Sequence, residues 1–238
     1  MRHYLVVDDN REFAQNLAEI LRDQGDDVAV AEHGDEALGL ARGRRFDALL
    51  TDMRMPLMGG AEVVHEIRRG DPGVPAMVIT AHVGDDAIEA ARREGLLAVL
   101  PKPVDVPRLL ELLRAARRDG LVAVVEDDLR LSDNLCEALR SLGFAAVTAA
   151  SVTETERLGP VRPFCALVDL RLPGGPDGEA MRRLAAKHPG LPMIVVTAYS
   201  DPPAVPYDGF FSKPFDTAQL LAAVERLYRA RAGGDPIR

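Results

Sequence analysis

Ten side chains of this 238-residue chain have types and spacings that could do chemistry together. Asp8 and Asp9 follow the apolar run LVV, Asp52 ends DALLTD, Thr80 ends AMVIT, and Lys102 follows LP. The same order returns in the second half as Glu126, Asp127, Asp169, Thr197 and Lys213. If the apolar runs are strands of one parallel sheet, the five groups of each half converge on one sheet edge. Three carboxylates in one pocket repel strongly at neutral pH unless a cation joins them. Hard oxygen donors with room for water suit Mg²⁺. A carboxylate beside that ion can act as a nucleophile and form an acyl phosphate. The metal and the lysine would neutralise the phosphoryl oxygens, and the threonine hydroxyl would bond one of them. A lone strand-end aspartate is more often a turn or cap residue, and a lone Lys-Pro is usually surface. The ordered set, written twice, outweighs both.

The elements that must position these groups repeat as well. LVVDDN (5–10) returns as AVVEDD (123–128), and DALLTDMRMP (47–56) as CALVDLRLP (165–173). PAMVITA (75–81) returns as PMIVVTA (192–198), and LPKPVD (100–105) as FSKPFD (211–216). The offset is 117 residues from Asp52 to Asp169 and again from Thr80 to Thr197, so two homologous domains are expected. In the first copy the apolar runs 4–7, 28–31, 48–50, 76–80 and 97–100 read as buried strands. Amphipathic stretches separate them, with Phe13, Leu17, Ile20 and Leu21 spaced for one buried face. Asp105 before Pro107, and Asp216 before Thr217, mark helix starts. Five strands alternating with about five helices predict a doubly wound α/β fold with a five-stranded parallel sheet in each copy. Ligands of such sheets bind beyond the carboxyl ends of the strands, where strand order reverses.

The predicted boundaries are 1–119 for the first domain, 120–231 for the second and 232–238 for a frayed tail. The last helix of copy one is read through Arg114–Asp119, with Gly120 as the junction. The absence of a Gly/Ser- or Pro-rich linker predicts a defined mutual orientation. A net charge of −8 argues against a phosphate-backbone binder, so no direct DNA binding is expected. No stretch approaches the ~18 apolar residues of a membrane span, and MRHYLVVDDN does not read as a signal peptide. Cys136 and Cys165 sit in apolar stretches as buried thiols, consistent with a reducing cytoplasm. The five histidines show no metal-ligand spacing and read as surface residues.

With these motifs in place, both halves resemble receiver domains of two-component response regulators, of the CheY-like, flavodoxin-like fold. The matching set is an acidic pair after strand one, D-x-x-[ML]-P, a strand ending in T-A, and K-P. The resemblance implies that Asp52 and Asp169 are phosphoacceptors, charged by a histidine kinase or a histidine phosphotransfer protein. It implies Mg²⁺ held by Asp8, Asp9, Asp52 and the backbone carbonyl of Arg54, and again by Glu126, Asp127, Asp169 and the carbonyl of Arg171. Ala81 and Ala198 match the family's need for open access, and the Lys102–Pro103 and Lys213–Pro214 bonds are cis in this family. The function implied is a non-enzymatic, tandem-receiver regulator without an output domain that signals through a downstream protein partner. The alternative is that one receiver takes phosphate and the other is a pseudo-receiver; Asp52 is then favoured as the better exposed. An aspartate-dependent phosphatase would want a second acid two residues after the nucleophile, where Arg54 and Arg171 stand.

Three departures from the pattern carry their own expectations. The family's switching aromatic, three residues before the lysine, is Val99 in copy one and Phe210 in copy two. Thr80 to Lys102 spans 22 residues but Thr197 to Lys213 only 16. Pro202, Pro203 and Pro206 fall in that shorter segment, so the fourth helix of copy two should be shortened or missing. That face commonly carries dimerisation in the family, which leaves a homodimer through the first copy open. The loop after the second acceptor is one residue longer before Gly178 than its counterpart before Gly60. His82 and Tyr199, with Arg54 and Arg171, are expected to overhang the acceptors and slow autodephosphorylation.

Overall fold

The computed structural model describes the chain except residues 82–83, 85–88, 90–93, 159–160, 200–203 and 233–238. The chain divides into two compact units, Met1–Asp119 and Gly120–Arg238. Unit 1 runs β1 (His3–Val7), α1 (Arg11–Asp23), β2 (Asp27–Ala31), α2 (Gly34–Gly43), β3 (Ala48–Asp52), α3 (Gly60–Gly70), β4 (Ala76–Thr80), β5 (Ala98–Pro101) and α4 (Val106–Ala115). Unit 2 runs β6 (Leu121–Val125), α5 (Leu129–Ser141), β7 (Ala145–Ala149), a 3₁₀ turn (Glu154–Arg157), β8 (Cys165–Val168), α6 (Glu179–Lys187), β9 (Met193–Thr197), β10 (Gly209–Ser212) and α7 (Thr217–Ala232). Each unit forms one five-stranded sheet, ordered β2-β1-β3-β4-β5 and β7-β6-β8-β9-β10. Every strand pair is parallel. The order reverses beside β1 and β6, so the acids that follow those strands stand at the switch point.

The central strands β3, β4, β6 and β9 are buried at every residue, as continuous apolar runs covered on both faces must be. Helix starts follow side-chain chemistry. The Asn10 carboxamide accepts the Phe13 amide, Asp105 accepts that of Arg108, and Asp128 accepts those of Arg130 and Leu131, each meeting a donor left over by the first helical turn. Asp216 accepts the Ala218 amide at the start of α7. The buried face of α1 is Ala14, Leu17, Ala18 and Leu21, one step from the predicted stripe, with Ile20 half-buried. Cys136 and Cys165 are buried free thiols. No helix among the described residues is long and apolar enough to cross a membrane.

Several expectations change. The last helix of unit 1 ends at Ala115, not Asp119. Arg118 instead forks onto Asp71 and donates to the Phe46 carbonyl, and Asp119 turns left-handed at φ 55°. The helix predicted between the second and third strands of copy two is reduced to the 3₁₀ turn Glu154–Arg157. Its β-branched Val152, Thr153 and Thr155, and the Gly159-Pro160 pair, oppose helix propagation. Between β9 and β10, Ala204–Asp208 are non-helical as expected; residues 200–203 lie outside the described residues, as do His82, most of the matching segment of copy one, and the tail beyond Ala232. The histidines are not uniformly superficial. His3, His65 and His188 are half-buried, the first two facing Asp27 and Glu94 at 3.0 and 3.2 Å.

Two details of unit 1 stand apart from its second copy. Arg68 is buried on α3 and donates to the carbonyls of Val74, Glu94 and Gly95. Burial outweighs the pull of Glu94 and Asp71 and lowers its guanidinium to about 10, still charged at neutral pH. Leu57, in the loop after β3, is fully exposed with φ 70°. The matching position of unit 2 is Gly174, φ 94°, the residue such a backbone favours.

Candidate active site

The carboxyl ends of β1, β3, β4 and β5 bring Asp8, Asp52, Thr80 and Lys102 to one edge of unit 1. Asp8, Asp52 and Thr80 are buried, and Asp9 is exposed. The Lys102 ammonium donates to Asp8 Oδ2 and Asp52 Oδ1, each at 2.6 Å. The remaining oxygens are held by the backbone, Asp8 Oδ1 by the Asn10 amide at 3.0 Å and Asp52 Oδ2 by the Arg54 amide at 2.6 Å. Two structural details fix this arrangement. Lys102 N donates to Thr80 O at 2.7 Å, next to a cis Lys102–Pro103 bond. Gly60 lies so close beneath the acceptor that a Cβ there would stand 2.1 Å from the Asp52 carbonyl oxygen.

Unit 2 repeats the clasp with one longer acid. Lys213 Nζ donates to Glu126 at 2.7 and 2.9 Å and to Asp169 Oδ2 at 2.7 Å. Asp169 Oδ1 accepts the Arg171 amide at 3.2 Å. Lys213 N bonds Thr197 O at 2.7 Å, and Lys213–Pro214 is cis. Thr197 is fully buried and its hydroxyl accepts the Tyr199 amide at 3.3 Å. Asp52 and Asp169 are 7% and 8% exposed, so the expectation that Asp52 is the better exposed acceptor does not hold. Ala81 and Ala198 are both exposed, which leaves each clasp reachable from solvent.

Burial pushes the Asp8 and Glu126 carboxyls up, against the pull of the neighbouring lysines. Burial also pulls the two ammoniums down, but the paired carboxylates outweigh it and hold Lys102 and Lys213 above the usual lysine range. Three carboxylates against one ammonium leave each site two charges negative, the charge that a divalent cation cancels. The donor set fits such an ion. One oxygen from each of Glu126, Asp127 and Asp169 lies within 4.8 Å of the others, close to the ~4.2 Å that separates opposite ligands of a Mg²⁺ ion. Among the described residues this is the group that gathers so tightly; in unit 1 the lysine joins Asp8 to Asp52, with Asp9 exposed beside them.

Two neighbours escaped the sequence reading. Phe13 lies under the Lys102 ammonium, 4.4 Å from ring centroid to nitrogen, a contact worth about 0.5–1 kcal/mol or more when partly desolvated. An aromatic in the first turn after the acidic pair was its only signal. In unit 2 the Arg171 guanidinium stacks on the Tyr199 ring at 3.6 Å, donates to its hydroxyl, and is anchored by Asp177 at 3.1 Å. Its counterpart at His82 lies outside the described residues. Val99 and Phe210 are half-buried, and Phe210 packs on Tyr207 with ring centroids 5.9 Å apart.

Comparison with known proteins agrees with this geometry. The model of the response regulator receiver domain matches twice, over residues 4–114 and 122–225. A response regulator receiver protein of Anaeromyxobacter sp. (strain Fw109-5) is 78% identical over 231 residues, covering 97% of both chains. The transcriptional regulatory protein ZraR of Klebsiella oxytoca is 38% identical over 105 residues, 44% of this chain and 24% of that protein. Among solved structures, the Vibrio cholerae chemotaxis protein CheY4 is 31% identical and covers 48% of this chain and 97% of its own, with a TM-score of 0.46. With both copies matched and a relative similar along its whole length, this chain belongs to the response regulator receiver family, as a tandem of two receiver domains.

Proposed function

We propose that both receivers are active phosphoacceptors, Asp52 in unit 1 and Asp169 in unit 2, charged by a histidine kinase or a histidine phosphotransfer protein. The observation that carries this reading is the duplicated clasp, in which one lysine ammonium bonds the acceptor and a buried acid in each unit. A carboxylate oxygen of the acceptor attacks phosphorus, the P–N bond to the donor imidazole breaks, and the imidazole leaves with the electron pair. Lys102 and Lys213 neutralise the incoming phosphoryl oxygens, and the Thr80 and Thr197 hydroxyls bond one of them. Mg²⁺ would be held by Asp8, Asp9, Asp52 and the Arg54 carbonyl, and by Glu126, Asp127, Asp169 and the Arg171 carbonyl. When bound it supplies charge neutralisation to the phosphoryl group. Signalling then proceeds through contact with a downstream protein.

Intact mass after incubation with acetyl phosphate and Mg²⁺ tests the reading. Two added phosphoryl groups are expected on the wild type, one on Asp52→Asn, one on Asp169→Asn, none on the double variant and none with EDTA. A wild type that takes a single group, lost with one substitution and unchanged by the other, would instead establish the one-receiver alternative.

A further inference from the structure

The lysines of the two clasps commit their hydrogens differently. An ammonium has three N–H groups to give. Asp8 turns Oδ1 back to the Asn10 amide, so Lys102 meets Asp8 through Oδ2 alone and Asp52 through Oδ1. Its third N–H has no oxygen partner among the described residues, and the Phe13 ring lies 4.4 Å from the nitrogen. Glu126 is one methylene longer and brings both its oxygens to Lys213, at 2.9 and 2.7 Å, while Asp169 Oδ2 takes the remaining N–H at 2.7 Å. Leu131 stands five residues after Glu126, as Phe13 does after Asp8, and has no ring to offer. Exposure does not separate the two lysines, whose side chains are 20% and 21% exposed.

From this difference, and resting on the reading of both aspartates as phosphoacceptors, we infer that the receivers are charged at unequal rates, Asp52 ahead of Asp169. Asp8, Phe13 and Glu126 are the positioning residues that set the order. Charge on the transferring phosphoryl oxygens calls for an N–H aimed at them. Lys102 can turn its third N–H from the ring to a phosphoryl oxygen and keep both carboxylate bonds. A ring face holds an ammonium more weakly than a carboxylate does, so the turn costs little, and the ring keeps the nitrogen seated meanwhile. Lys213 must first withdraw a charge-assisted bond from Glu126. Part of that bond is regained from the phosphoryl oxygen, which leaves a rate gap of about tenfold.

Initial rates of phosphorylation by acetyl phosphate at saturating Mg²⁺, followed by intact mass of the full chain, test the order. The acceptor oxygen bonds phosphorus, and acetate departs with the electron pair of the broken P–O bond. Asp169→Asn reports on Asp52 and Asp52→Asn on Asp169, and the first is expected to react about tenfold faster. In the Asp52→Asn chain, Glu126→Asp gives unit 2 the acid of unit 1 and leaves the Arg171–Tyr199 stack untouched; it should speed Asp169 about threefold or more. In the Asp169→Asn chain, Phe13→Leu should slow Asp52 about twofold to fivefold, and Phe13→Tyr should keep the parent rate. The ring-current shift of the Lys102 ε-methylene protons should vanish in the leucine variant and persist in the tyrosine one. Equal rates at the two acceptors, or a faster Asp169, would overturn the order and leave both acceptors established. A Glu126→Asp chain no faster than its parent would overturn the account by uncommitted N–H groups, and an unchanged rate in Phe13→Leu would remove Phe13 from it. An Asp169 that takes no phosphoryl group with either acid in place would instead remove the two-acceptor reading, and the order with it.

Discussion

Replacing Lys213 with methionine, which keeps an unbranched side chain one atom shorter and removes the charge, tests how much the clasp contributes to unit 2. The wild-type ammonium makes three contacts of 2.7–2.9 Å to carboxylates whose side chains are 3% and 10% exposed. Removing one partner of a buried ion pair costs about 3–5 kcal/mol. The lysine itself is 21% exposed, and a carboxyl left alone relieves part of the cost by taking up a proton, so about 2–3 kcal/mol is expected at pH 8. With a urea m-value of about 1–3 kcal/mol/M, the midpoint should fall by roughly 1–2 M. Tyrosine fluorescence is a suitable probe, because the chain has no tryptophan and three of its four tyrosines, Tyr199, Tyr207 and Tyr228, lie in unit 2.

The pH dependence of that variant has a definite sign. Burial already raises the Glu126 carboxyl, and Lys213 opposes the rise; without the ammonium it rises further. A carboxyl with a folded pKa above its unfolded value binds more protons in the folded state. The variant's deficit should therefore be smallest at acid pH and grow as pH increases through the folded pKa. Mg²⁺ should recover much of it, since a ligand at 100 times its Kd stabilises by about 2.7 kcal/mol. A variant within about 0.5 kcal/mol of wild type at pH 8 without divalent ions, or a deficit that ignores pH, would refute the electrostatic account of the clasp.

Three further outcomes are expected. In an Asp52→Asn background, Arg171→Ser or Tyr199→Ala should shorten the phosphoryl lifetime on Asp169 about threefold to tenfold, the kinetic equivalent of one contact of about 1 kcal/mol. An unchanged decay of the phosphorylated mass peak would dismiss the lid. Arg68→Met leaves the carbonyls of Val74, Glu94 and Gly95 without their donor, and should destabilise unit 1 by about 3 kcal/mol, read as a lower unfolding midpoint by calorimetry. Leu57→Gly should raise the unit 1 midpoint by the equivalent of about 0.5–1 kcal/mol, because it releases a left-handed leucine; no gain would show that the loop bears no strain.

The fold was legible to the extent that burial is written in composition. Apolar runs such as AMVI and MIVV, each closed by one threonine, have no polar face to offer solvent, so they announce central strands. The acids, threonines and lysines were legible because each directly follows or ends such a run. The 3₁₀ turn at Glu154–Arg157 was not, since its segment is nearly as long as the helix it replaces, and β-branched residues bias a helix by tenths of a kcal/mol each. Phe13 beneath Lys102 and Asp177 behind Arg171 depend on side-chain directions that spacing alone does not convey. The relative exposure of Asp52 and Asp169 depends on neighbours distant in sequence, and the structure buries the two alike, at 7% and 8% exposed.

Each of the four apolar clusters draws all its residues from one unit. A large-to-small substitution at a buried position such as Leu5 or Leu135 therefore opens its cavity within the core of its own unit. Leu57 stands where unit 2 has Gly174, Val99 where it has Phe210 and Asp8 where it has Glu126, so two interiors closed each within its own unit carry the same clasp on different side chains.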